Sequence, residues 1–187
     1  MLLRHSALVA LSALGTEWVA QHTESFLGLM MDPDEDVSFV ALCALTKLPH
    51  DELAPHARRF RACLRHPSCA ARCGALRALS GIGAAAVAES IKSVCARLSK
   101  DVDVPVRREA AVALAVLPPS NVPTRVITAL HDRLNDPQED PRVRTCVVET
   151  LAKLRQSAQH TGVGVFPGLS RCTDGLGGLS LGGGGDD

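Results

Sequence analysis

The residues best placed to do chemistry lie around two cysteines in the middle of the chain. His66, Cys69 and Cys73 are three and four residues apart, so on a helix they would share one face and two thiolates could reach one metal ion. No Cys-x-x-Cys or His-x-x-x-His pair supplies the remaining ligands, and Cys73 lies in an apolar stretch. We therefore predict no metal site and interpret these thiols as small buried side chains.

The sequence gives no indication of a catalytic site. His50-Asp51 is an isolated pair, and the serines, histidines and acids show no specific arrangement of nucleophile, base and orienting acid. We predict no catalytic residues, no cofactor-binding residues and no cofactor.

Charge is divided between two stretches of opposite sign. Residues 16–49 hold six acids against one base, and residues 50–81 hold six bases against two acids. The bases of "HARRFRACLR" are candidates for contact with an acidic protein segment, phosphate or RNA: Arg58, Arg59, Arg61 and Arg65. The alternative is that neighbouring units attract each other and keep these faces solvated. Because no aromatic residues alternate with the bases for stacking, nucleic acid is the weaker partner class.

The composition favours closely packed helices in a reducing compartment. Hydrophobic residues make up 46% of the 187 residues but aromatic ones only 3%, and twenty Lys and Arg balance twenty Asp and Glu. No apolar run is long enough to span a membrane.

Seven cysteines, an odd number within apolar stretches, indicate reduced thiols and a cytoplasmic protein, with the nucleus as the alternative. The N-terminal "MLLRHSALVALSALG" has the pattern of a signal peptide, but it also fits the repeat described next, which we favour.

One helical phrase recurs along the chain. Its copies begin, at what we call position 0, at Leu3, Val37, Ala71, Val106 and Val143. In the fourth copy the apolar positions 0, 4, 7, 8 and 11 are Val106, Ala110, Ala113, Leu114 and Leu117. These positions form one face of an α-helix. The small residues suit a close approach of another helix.

The boundaries of the phrase recur as well. A capping residue stands three positions before position 0 in four copies: Asp34, Ser68, Asp103 and Asp140. Gly or Pro follows position 11 in four copies, and a second helical pattern lies between each pair of copies. Each unit is therefore predicted to be two antiparallel helices, with second helices near 3–14, 35–48, 69–82, 104–117 and 141–155. Such units must stack to bury their apolar faces.

The stretch "DVDVPVRREAAVALAVL" resembles the HEAT repeat, an α-solenoid unit, because Asp101 lies six residues before Arg107 in a Val-Arg pair and an Ala-rich helix follows. The chain departs from that pattern at Ser38, at His66 and in the last repeat, where two extra residues displace Asp136. The resemblance implies an all-α, right-handed α-α superhelix of about four and a half repeats over residues 1–157. A disordered Gly-rich tail is expected over 158–187.

The resemblance also implies roles for the arginines next to position 0. In HEAT repeats an Asp and an Arg tie each unit to the next, which would assign Arg4, Arg72, Arg107 and Arg144 to the scaffold. The competing interpretation gives them to a partner. The array begins with a second helix whose first helix is missing and ends on a second helix with no following cap. We therefore expect a piece of a longer array, with a truncated gene model or ends covered by partners as the alternatives.

The function that follows is that of a non-enzymatic scaffold or adaptor for protein partners, with no membrane association. Charged side chains expected to project from the second helices are candidate partner contacts: Arg77, Arg108, Glu149 and Lys153. The alternatives are a bilin-lyase-like HEAT-repeat enzyme or subunit, and an RNA- or phosphate-binding array that uses the basic patch from Arg58 to Arg77.

Overall fold

The computed structural model describes residues 6, 7, 9–11, 13 and 15–160, and within them every regular element is a helix. We number the α-helices from the first one that is described without a gap. Their bounds are α1 Thr16–Gln21, α2 Thr23–Leu29, α3 Glu35–Leu45, α4 His50–Leu53, α5 Ala57–Cys63, α6 Cys69–Ile82, α7 Ala84–Glu89, α8 Ile91–Lys100, α9 Val104–Leu114, α10 Thr124–Asn135 and α11 Pro141–His160. Short 3-10 turns lie at Ala54–His56 and Pro119–Asn121.

These helices form four stacked pairs. The second helix of each pair is continuous and is α3, α6, α9 or α11. The first helix is broken in three of the pairs, into α1 and α2, α4 and α5, and α7 and α8, whereas α10 is continuous. The second helices pack closely on one another, α6 against α3 and α9, and α9 against α11. This is the stacked helix-pair architecture of an α-solenoid.

The repeated apolar positions form the core. At positions 0, 4, 7 and 8 of the four second helices the residues are 0–7% exposed: Val37, Ala41, Ala44, Leu45, Ala71, Ala75, Ala78, Leu79, Val106, Ala110, Ala113, Leu114, Val147, Val143, Thr150 and Leu151. Thr150 replaces Ala in this set, and its hydroxyl donates to the Ala111 carbonyl at 3.0 Å. That bond satisfies the buried hydroxyl and joins α11 to α9.

Close packing between second helices requires a glycine at one point. A Cβ placed on Gly74 of α6 would lie 3.0 Å from the Leu42 Cβ and 3.1 Å from the Leu42 Cδ1 of α3. A Cβ at this position would require the Leu42 side chain to shift by a few tenths of an ångström. Gly74 therefore allows α6 to approach α3 closely.

Three of the four predicted caps are formed. Asp34 accepts from the Asp36 and Val37 amides, Ser68 from the Ala71 amide, and Asp140 from the Arg142 amide. The prediction for Asp103 is wrong, because no cap hydrogen bond reaches its side chain. Its carboxylate binds the Arg72 guanidinium instead.

The helix boundaries differ from the predicted ones at three second helices. Helix α3 ends at Leu45 and α9 at Leu114, where the chain tightens into turns with i to i+3 hydrogen bonds such as Leu48 N–H to the Leu45 carbonyl. Leu48 and Leu117 remain buried in those turns. Helix α11 continues to His160, past the expected domain end at 157. Of the predicted helix 3–14, residues 6, 7 and 9–11 are helical; Leu3, Arg4 and Leu14, and the expected tail beyond 160, lie outside the described residues.

Candidate interaction surfaces

Arg72 is the centre of a buried polar cluster that joins two repeats. It is 5% exposed, and its Nε and one terminal nitrogen each donate to a different Asp101 oxygen at 3.0 Å. The same guanidinium donates to Asp103 at 2.5 Å and to the carbonyls of His66 and Pro67. Burial alone would raise the pKa of the Asp101 carboxyl, but the hydrogen bonds from Arg72 hold that pKa below its ordinary value. Arg72 therefore acts as a tie between α6 and the loop before α9.

Arg107 repeats this arrangement one unit further along. Its Nε and a terminal nitrogen donate to Glu139 at 2.7–3.1 Å, and its other terminal nitrogen donates to the carbonyls of Asp101 and Val102. Glu139 thus takes the acidic position in the last repeat, where the register alone pointed to Asp136. Burial would raise the pKa of Glu139, but Arg107 holds it below the ordinary value.

The interpretation that these arginines tie each unit to the next therefore holds for Arg72 and Arg107. Arg144 occupies the equivalent position of α11, but its side chain has no partner among residues 15–160. Arg4 lies outside the described residues. The predicted basic patch from Arg58 to Arg77 is not one surface, because Arg72 in its middle is buried within the scaffold.

A second arginine cluster lies on the exposed side of the second helices. One oxygen of Glu109 accepts from Arg77 of α6 at 2.9 Å and from Arg108 of α9 at 3.0 Å. The Glu109 side chain is 11% exposed, whereas those of Arg77 and Arg108 are 55% and 43% exposed. Burial would raise the pKa of Glu109, but the two arginines hold it below the ordinary value. One buried carboxylate therefore fixes two exposed cations.

Positions 2 and 6 of the second helices lie opposite the buried positions and form what we call the second-helix surface. Its residues are Phe39, Cys43, Cys73, Arg77, Arg108, Val112, Thr145 and Glu149, and Lys153 lies beside them on α11. Phe39 is 43% and Val112 42% exposed, and the side chains of Glu149 and Lys153 are exposed. The structure thus places the predicted contacts Arg77, Arg108, Glu149 and Lys153 on one side of the array.

The other four predicted contacts lie on α5 and in the turn after it. Arg59 donates to Glu24 at 2.7 Å, an exposed pair. Arg61 donates to the Glu89 carbonyl at 3.2 Å, whereas Arg58 and Arg65 are exposed. Both exposed arginines line open space between α5 and α8. These helices are not closely packed within the described region, although the second helices of the same two pairs are.

The cysteine and histidine cluster is structural in its contacts. His66 is buried and its Nδ1 accepts from the Ser68 amide at 3.1 Å. Burial raises the pKa of the Cys69 thiol and raises that of Cys73 to about 12, so both stay protonated at neutral pH. All six described cysteines are free. In the described region no three His, Cys, Asp or Glu side chains are placed to hold one metal ion.

Two residues of these sites were missed by sequence reasoning. Glu109 follows Arg77 by 32 residues, and Glu139 follows Arg107 by the same separation. That repeated interval between a base and an acid was a usable signal, although the two pairs occupy different helix positions.

Comparison with known proteins agrees with this architecture. The family model for HEAT repeats matches residues 91–161. A designed armadillo repeat protein in complex with the peptide (KR)4 superposes with a TM-score of 0.56 at 18% identity, covering 85% of this chain and 80% of its own. Computationally designed armadillo repeat proteins for modular peptide recognition give a TM-score of 0.54 at 18% identity, covering 88% and 82%. An engineered protein gives a TM-score of 0.57 at 17% identity, covering 84% and 77%. The search of curated proteins found no match.

Residues 91–161 are thus similar to HEAT repeats, and the described chain has the fold of the HEAT/armadillo-like α-solenoids. A repeat scaffold of this kind fits a protein-interaction role in general. Within the described residues, no helix combines the length and apolar character needed to cross a membrane.

Proposed function

We propose that the chain is a non-enzymatic scaffold or adaptor and that a protein partner binds its second-helix surface. The observation that carries this proposal is the Glu109 cluster, in which one carboxylate oxygen holds both Arg77 and Arg108. Each arginine keeps further N–H groups for a partner, and its position is already fixed. Fixing a long side chain before binding reduces the entropy lost in the complex.

Apolar side chains on the same surface supply the other component of a typical interface. Phe39 and Val112 are 43% and 42% exposed, and Val112 lies one turn from Arg108 on the same helix face. Arginine and aromatic residues are enriched among those that dominate binding energy. Exposed apolar groups beside anchored cations therefore suit an extended segment that crosses successive second helices.

The charge of this surface favours a neutral or acidic segment. Arg77, Arg108 and Lys153 outnumber Glu109 and Glu149 by one. The designed armadillo protein noted above binds a (KR)4 peptide, which is strongly basic. A basic peptide would be repelled by the Glu109 cluster, so we expect the opposite charge preference here.

The proposal is tested by capturing partners from cell extract on the full chain and then measuring the purified partner against two matched variants. Phe39→Ser with Arg77→Gln changes one apolar and one charged residue on the second-helix surface. Val102→Ser with Arg142→Gln likewise changes one apolar and one charged residue, at exposed positions elsewhere. We expect at least about tenfold weaker binding for the first variant only, since each change removes a candidate anchor.

Equal binding by the two double variants would place the partner away from the second-helix surface. Failure of the folded wild-type chain to retain any protein would count against the scaffold role itself. The bilin-lyase-like alternative has no specific observation in its favour among the described residues. The phosphate-binding alternative has a geometric basis in the cavity at the turn between α7 and α8.

A further inference from the structure

We propose that the cavity at the turn between α7 and α8 binds a phosphorylated side chain of a partner peptide. The cavity has a volume of about 450 Å³, and its polar lining includes Arg61, Ser90, Lys92, Ser93 and Arg125. It opens into the space between α5 and α8, since Arg61 and Ser93 also line the adjoining 410 Å³ cavity. This site is independent of the second-helix surface.

Ser90 is the first reason to assign a ligand to this cavity. The residue is 1% exposed, and its Oγ has no hydrogen-bond partner among the described residues. Its backbone is satisfied, because the amide donates to Ala86 and Val87 and the carbonyl accepts from Ser93 and Val94. A buried hydroxyl without a partner is unfavourable and calls for an explanation such as a bound group.

Arg61 supplies a second unsatisfied donor at the same place. Its terminal nitrogens contact the Glu89 carbonyl at 3.2 Å and the Glu89 carboxylate at 3.6 Å. These contacts hold the guanidinium beside the Ser90 turn. Its Nε is buried and donates to no described atom. Two independent donors therefore lack acceptors where the first turn of α8 also favours an anion.

The charge around the cavity is strongly positive and mostly exposed. Arg58 and Arg65 continue the line of cations from Arg61 along the space between α5 and α8, opposite Lys92. Arg97 also lines this space but is paired with Asp101. Glu89 is the one acid among the residues that line these cavities. A dianionic group would be attracted to this site, and acidic residues on either side of it would meet further arginines.

The number of donors favours phosphate over carboxylate. A phosphate monoester carries close to two negative charges at neutral pH and three oxygens that accept hydrogen bonds. Arg61, Ser90, Lys92 and Arg125 offer one group each, and a carboxylate would leave part of this set unused. The cavity linings hold no aromatic side chain, so they lack the stacking platforms that bind single-stranded nucleic acid. These features together favour a phosphopeptide over RNA.

The test uses a peptide library with one fixed phosphoserine and varied flanking residues, compared with the same library carrying serine. Fluorescence anisotropy then measures the best phosphopeptide against the full-length wild-type chain and variants. We expect at least about tenfold weaker binding of the unphosphorylated peptide, the loss expected for a charge-assisted contact. Binding should weaken steeply as salt concentration rises.

Ser90→Ala and Lys92→Gln should each weaken the phosphopeptide about tenfold, whereas the exposed control Arg142→Gln should leave it unchanged. Ser90→Ala should not lower the melting temperature, because it removes a buried hydroxyl that has no partner. That combination separates a binding role from a structural one. The proposal is overturned by equal enrichment of both libraries, by unchanged binding in Ser90→Ala and Lys92→Gln, or by single-stranded RNA that binds more tightly and shows the same losses.

Discussion

Arg72→Met is the substitution that most directly tests how the repeats are held together. Methionine keeps much of the aliphatic volume of arginine but removes every donor. The variant loses both hydrogen bonds to Asp101, the one to Asp103 and those to the His66 and Pro67 carbonyls. Packing is nearly preserved, so the effect reports on the polar cluster itself.

The expected loss follows from what remains around Asp101. Removing one member of a buried ion pair typically costs about 3–5 kcal/mol, because the other charge is left buried. Asp101 keeps the Arg97 guanidinium at 3.0 Å and the Asp103 amide at 3.1 Å, and Asp103, with a 40% exposed side chain, can be hydrated. We therefore expect the lower end of that range, about 3 kcal/mol.

The assay is urea denaturation followed by circular dichroism at neutral pH, with Arg142→Met as the matched control. Among the described residues Arg142 pairs with Asp140 alone, two residues away, and its side chain is 75% exposed. We expect no measurable loss in the control. Combining Arg72→Met with Asp101→Asn should cost clearly less than the sum of the two single changes, because the two residues share one cluster. A loss below about 1 kcal/mol in Arg72→Met, or strictly additive losses, would refute the account of the cluster as a buried tie.

Acid titration gives the same cluster a second test. Burial would raise the folded-state pKa of Asp101, but hydrogen bonds from Arg72 and from the Asp103 amide hold that pKa below its ordinary value. A carboxyl with a lowered folded-state pKa stabilises the protein above its ordinary pKa and loses that contribution as pH falls through the folded value. Glu109 and Glu139 have lowered pKa values as well. Stability should therefore fall as pH drops below about 4, and this fall should be shallower in Arg72→Met.

Two pairs of substitutions test the packing of the second helices. Gly74→Ala should destabilise the protein by about 1–3 kcal/mol, because its Cβ would press on Leu42. Gly28→Ala in α2 has open space around its Cβ and should stabilise the protein by about 0.5–1 kcal/mol. Equal urea midpoints for the two variants would contradict the close contact at Gly74. Ala113→Leu should cost about 1–3 kcal/mol through overpacking at a 1% exposed site, and Ala115→Leu, half-buried at the end of α9, should cost much less. Equal melting temperatures for these two would mean that the helix register is wrong.

The core was predictable from sequence because burial follows local periodicity. Val106, Ala110, Ala113 and Leu114 are all buried, as the spacing requires. The ends of α3 and α9 were less predictable from sequence. The apolar residue at position 11 is buried there in a turn, and it would be equally buried in a helix, so its burial does not show where the helix ends. Hydrophobic spacing therefore reports which side chains enter the core more reliably than where a helix stops.

The polar clusters were only partly predictable, because they depend on distances between residues far apart in sequence. The resemblance to HEAT repeats pointed to Asp101 and Arg107, but these two residues pair with different units. Asp101 pairs with Arg72 of the preceding unit, and Arg107 pairs with Glu139 of the following unit. Position in the sequence could not show that Glu139 rather than Asp136 would bind Arg107. Two extra residues shift the loop, and the reach of the side chains decides the contact. Likewise, only the placement of α5 and α8 shows that Ser90 and Arg61 line the same cavity.

Arg72 and Arg107 join neighbouring repeats through the same two kinds of contact. Arg72 donates to the carbonyls five and six residues before it, and Arg107 does the same in its own unit. Arg144 has two residues at the same separation before it but makes neither contact, and in the described chain it faces no acid from a following unit. In the described residues the carbonyl contacts occur in the two units whose arginine also binds a carboxylate of the next unit. Each of these arginines contacts its own loop and the neighbouring unit at once, so it contributes to the nearest-neighbour interface term on which the stability of a solenoid depends.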